Sequence, residues 1–163
     1  MNELLIIDGY NVISALSRYK GLKKLSLEAA RAKLIEDLVN FKAATDYEVI
    51  VVFDSPKQSS IRKENFHGVK VIFSGKGKTA DSIIERIIAE NEERERIVLV
   101  TLDYTEQRLA FGKGVIRKTP KELKADLFEQ QEYVKENRKH PKSFLEDRLS
   151  EEIKKKLSRL IKE

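Results

Sequence analysis

Three apolar runs in this chain stop on an aspartate, and that repeated ending constrains the fold more than any other feature. The runs are "ELLIID" from Glu3 to Asp8, "EVIVVFD" from Glu48 to Asp54 and "RIVLVTLD" from Arg96 to Asp103. Each is short and apolar at successive rather than alternate positions, as in a parallel strand covered on both faces. "VKVIF" from Val69 to Phe73 is a further strand, followed by the glycine-rich "SGKGK", and "GVIRK" near Val115 is a weaker fifth.

Helical spacing separates the runs. Leu27, Ala30, Leu34, Leu38 and Phe41 mark one face of a helix from Ser26 to about Thr45. "TADSIIERI" at 79 to 87 starts another, with Thr79 as N-cap and Ile83, Ile84, Ile87 and Ile88 on one face. A third is expected after Asp103, through about Phe111. Strands alternating with helices imply a Rossmann-like parallel α/β sheet with right-handed crossovers. From Pro120 the chain turns helical and charged, with Leu123, Leu127, Phe128 and Val134 on one face. After Pro141, Leu145, Leu149, Ile153, Leu157, Leu160 and Ile161 form the stripe of a last helix, expected to pack intramolecularly. The expected organisation is an α/β core at 1–125 and a basic helical extension at 126–163, packed on that core.

The 163 residues suit one domain, with roughly two-thirds of the unfolded surface buried. Cysteine is absent, which excludes disulfides, thiol catalysis and Cys-bound zinc and suits a reducing cytosol. No apolar run approaches the roughly 20 residues of a membrane span, and the start of the chain has no signal-peptide pattern. A soluble cytoplasmic protein is expected.

The net charge of +5 is unevenly placed. Residues 138–163 hold nine Lys and Arg against five Asp and Glu. Residues 57–78 hold Lys57, Arg62, Lys63, Lys70, Lys76 and Lys78 against Glu64 alone. Clustered cations suit a polyanion, because binding releases the counterions of the phosphates. A solvated lysine surface has the same composition, and charge alone leaves both readings open.

In an open parallel sheet all strand C-termini lie along one edge, where ligands bind. Asp8, Asp54 and Asp103 share that edge, and Asp81 joins them from the first turn of the helix that begins there. Singly, each has an ordinary explanation as a turn or helix-start residue. Two carboxylates about 4 Å apart repel by roughly 4 kcal/mol at an effective dielectric of 20. A cluster persists when protonated or holding a cation. Oxygen-only donors point to Mg²⁺ or Mn²⁺, ions that retain waters and bind substrate phosphates. Competing phosphate motifs fail. "GKT" at 77–79 would need a glycine at Ile72 to complete a Walker A loop. "GKGKTA" lacks the third glycine of a dinucleotide fingerprint, and a phosphoaspartate phosphatase would need an Asp where Tyr10 stands. Hydrolysis by a metal-activated water fits best.

Taken together, "IIDGYNVI", "ARAKLIEDL", "VIVVFD", "GKGKTADSIIE", "TLDYTEQ" and "FGKGVIRKTPKEL" resemble the YacP-like NYN-domain ribonucleases of the wider PIN-like nuclease group, in matching order over roughly residues 3–125. The resemblance implies a PIN-like three-layer α/β/α fold with a mostly parallel sheet of about five strands. It implies metal-dependent endonucleolytic cleavage of single-stranded RNA, with ribosome-associated mRNA as a substrate of similar members and the ribosome as a partner. By position, Asp8, Asp81 and Asp103 become catalytic metal ligands. Asp54 becomes a further metal ligand, and Asn11, Lys76, Lys78 and Gln107 become substrate-binding residues. Asn11 could instead orient Asp8, and Glu85 could be an outer ligand or a surface residue. Leu102 replaces a serine frequent in relatives. Lys76 or Lys78, on a flexible glycine-flanked loop, would meet charge developing on the scissile phosphate. Tyr10, Tyr19, Phe66 and Tyr104 could stack on bases or pack in the core. The rival function is a non-catalytic RNA- or ribosome-binding module. Retention of four aspartates argues against it, and Leu102 argues weakly for it.

Overall fold

Period-two burial divides the strand side chains between two cores, one on each face of a single sheet. The computed structural model describes residues 3–103 and 114–139, without the side chains at 130, 131, 133, 134 and 137–139. Its strands are β1 (Glu3–Asp8), β2 (Glu48–Phe53), β3 (Arg62–Phe66), β4 (Val69–Phe73), β5 (Arg96–Val100) and β6 (Ile116–Lys118). Its helices are α1 (Gly9–Ala15), α2 (Ser17–Leu25), α3 (Leu27–Ala43), α4 (Ala80–Glu90) and α5 (Pro120–Lys139). The sheet order is β3-β4-β2-β1-β5-β6, parallel except where β3 pairs antiparallel with β4. Leu5, Ile7, Val51, Phe53, Val71 and Val100 pack with residues of α1, α2, α3 and α5. Leu4, Ile6, Val52, Ile72 and Leu99 pack with the isoleucines of α4. The result is the expected three-layer α/β architecture. Fully burying one such aliphatic or aromatic side chain contributes roughly 1.5–3 kcal/mol.

Local chemistry accounts for the helix boundaries. Ser26 caps α3 by accepting from the Ala29 N–H. Thr79 caps α4, and Thr79 and Ser82 form a reciprocal capping box. Gly9 opens α1 under the Phe53 ring, where an added Cβ would lie 2.3 Å from Cε1. Inside the α2–α3 pair, the Arg18 guanidinium grips the 2 %-exposed Asp37 through two hydrogen bonds of 2.8 and 3.0 Å. The buried Tyr19 hydroxyl donates to the same carboxylate at 2.7 Å.

The sequence expectations differ from this structure at four places. Residues 9–25 form two helices that went unassigned. β3 adds a sixth strand, and its exposed edge position explains why "RKENF" shows no apolar pattern. Phe128, placed on the apolar face of α5, is 57 % exposed, whereas Leu123 and Leu127 are buried. The loop after β4 is anchored rather than free: the Lys76 N–H donates to the Gln58 carbonyl at 2.6 Å, and Gly75 lies against the Ser60 backbone. The expected helix after Asp103, the side chain of Val134 and the last helix lie outside the described residues. The chain divides into compact units at 1–128 and 129–163, and the sheet lies in the first. Among the described residues no helix is long and apolar enough to cross a membrane.

Candidate active site

Parallel register delivers the strand ends to one edge. Asp8 is opposite Val52, Ile7 is opposite Val100, and Phe53 is opposite Phe73. The chain leaves β1 toward β2 on one side and returns to β5 on the other, so the strand order reverses beside β1. At that point lies a cavity of about 580 Å³ lined by Asp8, Tyr10, Asn11, Ser14, Ala15, Asp54, Thr79, Ala80, Asp81, Leu102 and Asp103. All four aspartates singled out from the sequence line it.

Each arrives by a different route. Asp8 occupies the N-cap position of α1, yet its side chain makes no capping hydrogen bond to that helix. Asp81 stands in the first turn of α4, where Thr79 and Ser82 already satisfy the cap. The helix therefore does not need the Asp81 carboxylate as its cap. Asp54 accepts a 3.0 Å hydrogen bond from the buried Ser74 hydroxyl, which in turn accepts from the Ser55 N–H at 2.9 Å. Asp103 follows a tight turn in which its N–H donates to the buried Thr101 hydroxyl at 2.9 Å.

The side chain of Asn11 joins α1 to the end of β5. Its Oδ1 accepts from the Leu102 N–H at 2.6 Å, which identifies a positioning contact within the protein. Leu102 itself is 52 % exposed at the cavity wall. Asn11, Ser14 and Ala15 follow helical spacing from Asn11, so α1 turns one face to the cavity; Ser14 and Ala15 were not identified from the sequence as lining it, whereas Tyr10 was a stacking candidate.

Lys76 and Lys78 do not line this cavity. Both are exposed, and Lys78 instead borders a separate groove with Lys63, Glu85 and Arg86. Glu85 lines that groove and not the cavity of the four aspartates. Gln107 and Tyr104 lie outside the described residues. Tyr10 packs on Phe53 with ring centres 5.1 Å apart, and its hydroxyl accepts from Arg31 at 2.8 Å. Tyr19 is buried on Asp37, and Phe66 is partly exposed on β3.

Among the described residues no three acidic or imidazole groups are gathered tightly enough to form a ready-made metal cage. Four aspartates around an open cavity nonetheless fit a cation such as Mg²⁺, which binds through one or two carboxylates and keeps its waters.

A three-layer α/β sheet with an acidic cavity at its strand-order reversal defines the class. The chain belongs to the YacP-like NYN domain family, which it matches over residues 5–162. It is 41% identical over 123 residues to YacP of Bacillus subtilis (strain 168), an alignment covering 74% of this chain and 72% of that protein. The crystal structure of Rae1 (YacP) from Bacillus subtilis superposes with a TM-score of 0.73 at 33% identity, covering 98% of this chain and 94% of that one. Its W164L mutant gives 0.74 at 36% identity, covering 85% of this chain and 83% of that one. Membership of this family is consistent with an RNase-like function.

Proposed function

We propose that the protein is a metal-dependent endoribonuclease acting on single-stranded RNA, with ribosome-associated mRNA as its substrate in the cytoplasm. The observation that carries this reading is the convergence of Asp8, Asp54, Asp81 and Asp103 on one cavity at the strand-order reversal. Helix capping does not account for the two at helix starts. The two helix-start aspartates leave capping to other groups or make no cap, and polar side chains brace the turns that carry the other two.

Asp8, Asp81 and Asp103 would hold Mg²⁺ or Mn²⁺, with Asp54 as a further oxygen donor. Such an ion, when bound, supplies Lewis acidity at the scissile phosphate and a water of lowered pKa. Asn11 holds the Leu102 backbone and so sets the turn that presents Asp103. Lys76 and Lys78, outside the cavity, bind flanking phosphates rather than the reacting one, and Gln107 contributes a further substrate contact. Attack by water leaves a 5′-phosphate and a 3′-hydroxyl, and the 2′-hydroxyl takes no part as nucleophile.

The test is cleavage of an end-labelled single-stranded RNA with Mg²⁺ or Mn²⁺, beside folded Asp8→Asn and Asp81→Asn proteins, and then on translating ribosomes. Cleavage abolished by chelation and by both substitutions is expected. An intact RNA under every condition, ribosomes included, would refute the enzyme and leave a binding module.

A further inference from the structure

An acidic cavity repels the polyanion it is proposed to cut, so a nuclease of this design needs cations beside its carboxylates. The loop lysines singled out from the sequence do not line the cavity. The stretch from Gly9 to Leu27 holds Arg18, Lys20, Lys23 and Lys24 and no Asp or Glu. It follows directly on Asp8 and builds α1 and α2, so its charge is attached to the cavity wall.

The two flanks of α2 use their cations differently. Leu16 and Tyr19 are buried and Leu22 packs on the same core, which fixes the inward side. Arg18 turns toward α3 and is consumed by Asp37. Lys20, Lys23 and Lys24, at i, i+3 and i+4, emerge on the other flank, all exposed. They form no ion pair among the described residues. Lys23 Nζ reaches Ser14 Oγ at 3.3 Å, and Ser14 lines the acidic cavity. The lysine flank therefore begins at the cavity rim and runs along α2.

We propose that Lys20, Lys23 and Lys24 form the phosphate track that leads single-stranded RNA into the acidic cavity. This rests on the ribonuclease reading for its ligand and adds where the strand lies. Lysine suits the task because it meets phosphates as a point charge and demands no base sequence.

Binding and cleavage are measured separately, on the full chain. A labelled single-stranded RNA is titrated by fluorescence anisotropy in chelator at several salt concentrations. Wild type is compared with Lys20→Ala/Lys23→Ala/Lys24→Ala and with a charge-matched control, Lys121→Ala/Lys124→Ala/Lys135→Ala. Alanine at exposed helical positions preserves the helix, and circular dichroism confirms folding. Loss of three phosphate contacts should weaken low-salt binding about tenfold or more and lower the log–log salt slope by about two, while the control stays within about twofold. Unchanged affinity in the α2 variant, with RNA binding intact in wild type, would overturn the track. Wild-type binding without cleavage on any substrate would remove the nuclease reading and keep the track. Absence of both binding and cleavage in wild type would remove both.

Discussion

The Asn11 side-chain oxygen accepts a 2.6 Å hydrogen bond from the Leu102 backbone N–H, across 91 residues of sequence. It ties the helix that follows Asp8 to the turn that presents Asp103, and so couples two of the carboxylates through one amide. Asn11→Ala removes the acceptor while Leu102 remains open to water, so the stability loss should be about 0.5–1.5 kcal/mol. Cleavage should suffer more, because a displacement of about 1 Å at a reacting centre can cost about a hundredfold. The expected loss is in kcat with KM little changed. A pure KM effect would instead make Asn11 a substrate contact.

Asp8→Asn and Asp81→Asn should lose at least about a hundredfold in metal-dependent cleavage, the scale on which metal or charge stabilisation acts. Asp81→Asn should cost no more than about 0.5 kcal/mol of stability, because Thr79 and Ser82 make the helix cap. Thermal denaturation beside the cleavage assay checks both halves. A large stability loss with activity retained would make these residues structural.

Asp8, Asp54 and Asp103 were legible because doubly buried strands have a clear sequence pattern and their ends are punctuated by polar residues. Asp81 was legible because Thr79 marks the helix start. The lysine flank was missed for a physical reason: Gly9, Asn11, Ser14, Ser17 and Gly21 interrupt residues 9–25 and hide two short helices. A signal was present, since Val12, Leu16 and Tyr19 follow helical spacing and all three are buried. Asp37 was unreadable as a core residue, because a helical aspartate looks solvated until Arg18 and Tyr19, from another helix, close around it.

Gly9→Ala should cost about 1–3 kcal/mol, the usual scale of overpacking. The new methyl would overlap the Phe53 ring, which is packed between Tyr10 at 5.1 Å and Phe73 at 5.6 Å. Chemical denaturation reads the loss. Because Gly9 follows Asp8 directly, cleavage should fall as well, beyond what the unfolded fraction explains.

Arg18→Ala leaves the buried Asp37 carboxylate with Tyr19 at hydrogen-bond distance and Lys33 at 3.7 Å. Stranding a charge in this way should cost about 2–4 kcal/mol, lowered by the partial exposure of Arg18. Tyr19→Phe should cost about 1–2 kcal/mol. Burial, reinforced by the hydrogen bond to Asp37, pushes the Tyr19 phenol above its ordinary value of 10.0. A raised folded value means that its contribution is complete below pH 10.0 and is lost as pH rises beyond it. An ultraviolet titration should show one of the five tyrosines ionising last, and Tyr19→Phe should remove that step.

Glu48 tests the opposite sign at the opposite end of the sheet. Lys70 at 2.8 Å holds its carboxyl below the ordinary glutamate value of 4.5, helped by Arg94 at 2.5 Å and opposed by burial. A depressed folded value means that the stabilisation is present above pH 4.5 and is lost as pH falls through the folded value. Glu48→Gln should therefore flatten the acid side of the stability profile below pH 4.5 and lower stability at neutral pH. Glu48 begins β2, whereas the aspartates line the cavity at the strands' C-terminal edge, so neutral-pH cleavage per folded molecule should be unchanged. An acid limb identical to wild type would show that the ion pairs of Glu48 contribute nothing to the native state.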